Sequence, residues 1–425
     1  MNQARHPYDA LPYESLPISW TAPEHLALTA LLHGGPRQAT SGYRYLELGC
    51  GDGSNLIPLA YYRPDAEFVG VDGAPSACEQ AATKAQQLGL RNLRIVQADF
   101  EQASLRLTGS FEFIVGHGVF SWIPDQTRDR LLDLCQDHLK PAGLLYLSYN
   151  ARPGWDIRGL IRDFLIRQTR GSDAPVSPLA QAEQAQHLAK TLADFLSAVP
   201  APYTQLLTKE FQLVQKAQPG YVGHDYLAAH NRAYWRADFL ALLQRRGFSY
   251  VADADYNDNA RRLPDGVEPR LQTLGLPQEA LQDTLDLVCF RQFHCPILTT
   301  TPNELHPPSA NELSQLHIAS CLQAPEAGDT FLHPSGYQAE VPDPTLQQLL
   351  RDLAPDYPRG RPVSAVLADP AALWDDILLL QRNGLLELRQ REPNTSAVNP
   401  APLHELEGIQ GYHTSPYHTT VATST

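Results

Sequence analysis

Tyr45-Leu46-Glu47-Leu48-Gly49-Cys50-Gly51-Asp52-Gly53-Ser54-Asn55-Leu56 runs from an apolar stretch straight into a Gly-x-Gly-x-Gly turn and then into a helical pattern. Glycines at these positions let the backbone take tight dihedrals and let a ligand approach with no Cβ in the way. The helix start behind them offers free N–H groups. A dinucleotide site has Gly-x-Gly-x-x-Gly spacing. Here the third glycine comes one residue earlier, and an acidic residue, Glu47, precedes the first glycine by two positions.

Outward from this turn, residues 43–150 alternate short apolar runs with helical patterns, the signature of a parallel sheet built from βαβ units. The fold class is α/β. Strands are expected at residues 43–48, 67–71, 93–98, 111–116 and 144–149, and helices at 54–62, 75–88 and 126–139. The last of these helices runs into Lys140-Pro141-Ala142-Gly143, where Pro stops it and Gly is expected to make the turn. Asp72 closes the second strand, where a carboxylate can accept hydrogen bonds from two ribose hydroxyls. Asp99 and Phe100 follow the third strand, and His117 follows the fourth. Open α/β sheets bind ligands outside the carboxyl ends of their strands, so one crevice collects these residues.

A chain of 425 residues exceeds the length at which one core stops growing, so more than one unit is expected. After Asn150 three long helical patterns over about 157–223 read as an insertion. A helix over 236–246, a strand over 248–252 and an apolar run over 287–293 then complete the sheet, placing the first domain at 1–298. A Pro/Thr-rich linker leads to a smaller, mainly α C-terminal domain over 303–425. Its helix before Gly384-Leu385-Leu386-Glu387-Leu388 is similar to the end of a winged-helix unit, read as a packing or dimerisation module that would make a homodimer. The Pro-, Thr-, Ser- and His-rich tail from Arg391 is expected to be poorly ordered.

A formal net charge of −14 argues against a sequence-independent grip on nucleic acid, which draws on many Lys and Arg contacts to phosphate. The six cysteines form no CxxC pair, so reduced thiols and no metal are expected, with Cys289, His294 and Cys295 the nearest approach to a ligand cluster. No segment has the length and apolarity of a membrane span or a signal peptide, and the chain reads as cytoplasmic.

The Gly-x-Gly-x-Gly turn with Glu47 resembles motif I of Rossmann-like class I S-adenosylmethionine-dependent methyltransferases. The resemblance narrows with Tyr8-Asp9, PYES (12–15), HGVFSWIP (117–124), SYNARPGW (148–155), YLAAHNRAYWRADFLALLQRRGF (226–248) and CFRQF (289–293). These are similar to bacterial methyltransferases with a methyltransferase regulatory domain, a group that includes protein-lysine methyltransferases of surface proteins. It implies S-adenosylmethionine as cofactor, held by Glu47, Gly49, Gly51, Gly53, Asp72, Asp99, Phe100 and His117. Glu47 would face the amino-acid end and Asp99 the adenine amino group. It also implies a lysine of a protein or peptide as acceptor. Tyr8, Trp122, Asn150 and Trp155 are candidates for binding it, and His117, Tyr149 and Tyr13 for handling its proton. A small-molecule or carboxyl acceptor, and a regulator that binds the cofactor without turnover, are the competing readings.

Overall fold

Among the described residues, nine strands organise the first three hundred positions: β1 (Arg44–Leu48), β2 (Glu67–Asp72), β3 (Leu93–Gln97), β4 (Phe111–Gly116), β5 (Leu139–Leu147), β6 (Tyr149–Asn150), β7 (Ser249–Asp253), β8 (Phe293–His294) and β9 (Pro296–Thr299). The computed structural model describes residues 7–13, 15–170, 176–199, 201–255, 267–301, 306–323, 328–392, 403, 412–418 and 420–422. Seven of these strands form one sheet in the order β3-β2-β1-β4-β5-β9-β7, with β9 antiparallel to both neighbours. The architecture is a mixed α/β, Rossmann-like class I sheet.

β1 is central, and residues 45–48 of it are all buried. Leu46 and Leu48 enter one core cluster while Tyr45 enters another, as the two-residue period of a strand covered on both faces requires. The first cluster is carried by Leu131, Leu132 and Leu134 of helix Asp125–His138 and by Phe239 and Leu243 of helix Arg236–Arg245. Helices Pro23–Leu32 and Leu56–Tyr62 cover the opposite face.

Three expectations need correcting. Residues 287–293 do not form a strand of the main sheet, and only Phe293 of them is extended, in β8. Leu281, Leu285 and Cys289 are buried at four-residue spacing along helix Gln278–Cys289, while Leu287 and Val288 are exposed, so the run is helical in period. Phe290, at φ 54, ends that helix, and β9 takes the sheet position instead. No separate turn follows helix Asp125–His138: β5 starts at once with an irregular stretch between Leu139 and Leu144, where Ala142 takes the left-handed conformation at φ 61. Gly143 serves close approach instead, since a Cβ there would lie 2.9 Å from the Lys140 carbonyl. Of the tail, residues 393–402 and 404–411 lie outside the described residues; at described positions Leu403, Thr414 and His418 are buried, and a hairpin pairs Tyr412–Thr414 with Thr420–Ala422.

Helices Gly154–Thr169, Pro178–Ser197 and Pro202–Lys216 follow β6. Ala182, Ala185, Ala189 and Ala193 line one face of the middle helix, and such small residues let its neighbours come close. Beyond β9, a three-stranded antiparallel sheet has His317–Ala319 between Arg361–Pro362 and Glu387–Arg389. Its core takes in Leu28 and Leu31 of helix Pro23–Leu32, so this unit packs directly on the start of the chain. Among the described residues no helix is long and apolar enough to cross a membrane, and no group of three His, Cys, Asp or Glu side chains could hold a metal ion. Within the Cys289, His294 and Cys295 cluster, His294 is committed to two aspartates.

Candidate active site

The turn after β1 is built on three left-handed glycines, at φ 78, 53 and 79 for Gly49, Gly51 and Gly53. Gly49 and Gly53 are also sterically required: a Cβ would lie 2.5 Å from Val119 Cγ2 and 2.8 Å from Ile57 Cδ1. At Gly51 a Cβ would meet only Ser15 Oγ, at 3.5 Å, so the turn is open on that side. Asp72, at the end of β2, accepts from the Gly51 N–H through Oδ2 (2.9 Å) and from the Ala74 N–H through Oδ1 (2.8 Å). Each carboxylate oxygen keeps a lone pair for a further donor.

Glu47 is buried under this turn. Its Oε1 accepts from Asn55 Nδ2 at 3.1 Å, and its Oε2 has no partner. Burial, with Asp72 and Asp52 adding repulsion against the Asn55 hydrogen bond, pushes its carboxyl up to about 8. An unpartnered, buried carboxylate oxygen is expensive unless a donor meets it. A cationic amine is the donor that would reverse both effects. An amino-acid-bearing nucleoside therefore fits: amine at Glu47, ribose at Asp72, backbone at the open Gly51.

Residues 46–143 match the family model of the methyltransferase domain, and residues 218–299 match that of the predicted methyltransferase regulatory domain. The chain carries an S-adenosylmethionine-dependent methyltransferase domain. The structure of PKMT2 from Rickettsia typhi in complex with AdoHcy superposes with a TM-score of 0.79 at 20% identity, covering 97% of this chain and 86% of that one. Two uncharacterized proteins of Rickettsia prowazekii are similar in sequence. One is 33% identical over 250 residues, covering 59% of this chain and 44% of that protein; the other is 28% identical over 247 residues, covering 57% and 96%. A trans-aconitate 2-methyltransferase from Deinococcus radiodurans is 38% identical over 106 residues, 25% of this chain and 37% of that enzyme.

The other candidate residues of the methyltransferase domain divide by position. Asp99 caps helix Phe100–Arg106, its Oδ1 accepting from the Gln102 N–H at 2.7 Å, while Phe100 packs half-buried against the core. His117 Nδ1 lies 2.7 Å from the Tyr146 hydroxyl, and burial pulls its imidazole down to about 4, so it is neutral near pH 7. The loop after β4 is tied down where Gly118 N–H donates to Ser148 Oγ (2.8 Å) and Asn150 N–H to Ser121 Oγ (2.9 Å).

Tyr149 does not stand at the mouth. It is 1% exposed and stacks on Phe239 at 3.7 Å, because β6 pairs with β8 and turns its ring into the core. Trp155 is also buried and fully engaged, with Nε1 donating to Asn231 (2.9 Å), the Arg158 guanidinium 5.0 Å over its ring and Trp122 edge-on at 5.7 Å. Trp122 itself is half-exposed. Asn150 is buried with its Nδ2 unpartnered, a free donor below the same loop. The Tyr8 side chain lies outside the described residues.

The N-terminal segment straps the crevice. Asp9 Oδ1 accepts from the Ser76 N–H (3.2 Å) at the start of helix Pro75–Gln87, Ser15 passes Gly51, and Leu11 O lies 2.6 Å from His224 Nε2. Tyr13, 39% exposed, sits edge-on to His224 and hydrogen-bonds Asp225. Burial raises Asp225 to about 7, against the pull of Arg158 and Tyr13. The regulatory domain braces the same mouth: Arg232 N–H donates to Ser121 O (2.8 Å), Tyr234 N–H to Asn150 O (3.0 Å), and Arg152 N–H to Tyr234 O (2.8 Å). Beside this brace lies a cavity of about 370 Å³ lined by Arg152, Arg232, Tyr234, Trp235, Asp238 and Arg245.

Sequence reading missed Asn55, Ser121, Asp225 and His418. Asn55 carried a signal, a polar residue eight positions after Glu47 at the start of a helix. Asp225 and His418 carried none, because Tyr13 and Asn55, to which they hydrogen-bond, are more than two hundred residues away.

Proposed function

We propose that the chain methylates a lysine side chain of a protein or peptide. The observation that supports it best is the run of contacts from Trp122 through Trp155 and Arg158 to Asp225 and Tyr13, which joins the loop after β4 to the N-terminal strap and offers aromatic faces and a carboxylate to an amine. The sequence segments similar to bacterial methyltransferases with a regulatory domain, a group that includes protein-lysine methyltransferases, support the same reading.

In this reading Glu47, Gly49, Gly51, Gly53, Asp72, Asp99 and Phe100 hold the cofactor, which supplies an electrophilic methyl group on sulfonium. Glu47 orients its amino-acid end and Asp72 its ribose; the free Oδ2 of Asp99 takes the adenine amino group. The protein's remaining task is to bring the lysine nitrogen within about 3–3.5 Å of the methyl carbon, in line and away from water. A half-exposed Trp122 face and the Asp225 carboxylate receive the incoming ammonium, which gives its proton to solvent before the nitrogen can attack. His117, neutral and fixed by Tyr146, accepts a hydrogen bond from the amine and does not store its proton. Residues 1–298 form the catalytic domain with its insertion over 157–223, and the unit from 303 is an interaction module.

The test is transfer of isotopically labelled methyl from S-adenosylmethionine into a cell lysate, before and after exhaustive acetylation of amines. Label in proteins that disappears on acetylation is the expected result. Undiminished label would exclude lysine, and label confined to small molecules would assign the chain to the tailoring enzymes.

A further inference from the structure

The C-terminal hairpin reaches the cofactor turn from the far end of the chain. His418 is 1% exposed, and its Nε2 lies 2.8 Å from Asn55 Oδ1. The hairpin is held there by the Tyr62 hydroxyl donating to Thr414 O (3.1 Å) and by the Tyr417 hydroxyl donating to Glu392 (3.1 Å). The Arg389 guanidinium lies 4.0 Å over the Tyr417 ring. Leu403 adds an apolar contact beside Ile57 and Tyr62, on the helix that starts after Asn55.

The direction of each bond follows from one fixed donor. The Ile18 backbone N–H lies 2.8 Å from Asn55 Oδ1 and can only donate, so that atom is the amide oxygen. His418 Nε2 must then carry a proton and donate. Burial and the nearby Arg63 charge keep this imidazole well below its ordinary range, so it is neutral, with the proton on Nε2. The Asn55 amide nitrogen is left to give its two hydrogens to Thr21 Oγ1 (3.0 Å) and Glu47 Oε1 (3.1 Å). Occupying Oε1 leaves Oε2 as the free acceptor of Glu47.

We propose that His418 is a positioning residue of the cofactor site: through Asn55 it sets the rotamer of Glu47, so that the C-terminal hairpin tunes affinity for the cofactor's amino-acid end. This rests on the reading of Glu47 as the acceptor of the cofactor's amine. A defect that acts through Glu47 must depend on that amine, whereas a general loosening of the turn must not. Calorimetry on the full chain compares S-adenosylhomocysteine with methylthioadenosine, which keeps the nucleoside and lacks the amino-acid end.

His418→Leu is expected to weaken S-adenosylhomocysteine about tenfold and to leave methylthioadenosine within twofold. His418→Gln, whose amide can still donate to Asn55, is expected to restore binding. Equal weakening of both ligands, or unchanged affinity for both, would overturn the proposal. So would a His418→Gln variant no better than His418→Leu. Glu47→Gln separates the two levels. If it shows the selective loss and His418→Leu does not, only the hairpin's role falls; if Glu47→Gln leaves both affinities intact, the reading of Glu47 falls and the proposal with it. Should His418→Leu not fold, Asn55→Asp, which replaces the donor to Glu47 by an acceptor, is expected to give the same selective loss, and equal weakening there would count against the proposal.

Discussion

Glu47 is the most informative single residue, because its burial and its unpartnered oxygen make opposite demands before and after a ligand arrives. In the free protein its carboxyl stands at about 8, so near pH 7 it is mostly protonated. An ammonium seated against Oε2 favours the carboxylate and draws that value down. Binding of S-adenosylhomocysteine at pH 7 should therefore release close to one proton. Calorimetry in buffers of different ionisation enthalpy reads that number, and Glu47→Gln should bring it near zero. Release unaffected by that variant would mean that another group titrates. Asp72 makes a simpler demand. Asp72→Ala removes the acceptor of two ribose bonds, and charged hydrogen bonds are worth roughly 1.5–3 kcal/mol each. It should cost at least tenfold in affinity for S-adenosylhomocysteine, and unchanged affinity would mean that the ribose lies elsewhere.

At the scale of elements, β7, β8 and helix Gln278–Cys289 are pinned together by one buried imidazole. His294 meets Asp253 through Nδ1 and Asp286 through Nε2, both at 2.8 Å. Burial alone would push His294 down, yet its bonds to the two carboxylates outweigh it and the group ends above its usual value. Burial likewise raises Asp253, but His294 pulls it below the ordinary range. The raised imidazole contributes stability that is complete below its unfolded value, near 6.5, and is lost as pH rises through the folded value. The lowered carboxylate contributes stability present above its unfolded value, near 3.9, and lost as pH falls through the folded one. His294→Ala leaves two buried carboxylates facing each other and should cost about 3–5 kcal/mol. Denaturant unfolding measures it, and the melting temperature of the wild type should decline on both sides of the window between those values. A cost below about 1 kcal/mol would mean that the clamp does not hold these elements. This clamp was invisible in the sequence, where His294 stood out only beside two cysteines. β1 and its turn were legible because their signals are local, an apolar run and glycines at fixed spacing. The run over 287–293 was misread because so short a stretch does not separate a two-residue from a 3.6-residue period. Tyr149 was expected at the mouth as the last residue of a strand. It turns inward because the chain pairs a second time, with β8, a contact made across more than a hundred and forty residues. The buried tail residues failed for a related reason: Leu403, Thr414 and His418 are isolated in Pro-, Thr- and Ser-rich sequence and form no periodic face.

For the whole molecule the net charge of −14 invites the idea that a basic substrate is steered by the overall field. At the mouth Arg152, Arg158 and Arg232 are each paired with a carboxylate, of Asp156, Glu210 and Asp125, and surface charges are screened beyond about 8 Å at physiological salt. Recognition must be local, and so must the handling of the lysine's proton. His117 stands at about 4 and Asp225 at about 7, while a free lysine stands at about 10.4. A group near 4 is unprotonated throughout the range of assay and cannot bend the profile there. With a lysine peptide as acceptor, kcat/KM should rise roughly tenfold per pH unit from 7.5 to 9, because only the neutral amine is a nucleophile and its population grows by that factor below its pKa. Asp225, at about 7, is already about three-quarters ionised at pH 7.5 and gains less than a third more by pH 9, so Asp225→Asn should lower the line and barely change its slope. His117→Gln should do the same, by about one to two orders of magnitude, if the ring orients the amine through a hydrogen bond. The profile itself decides between positioning and proton storage. A plateau above pH 7 in the wild type that becomes a slope of one in His117→Gln would make His117 the base, and would require the loaded site to lift its imidazole by about three units from where burial holds it in the free protein.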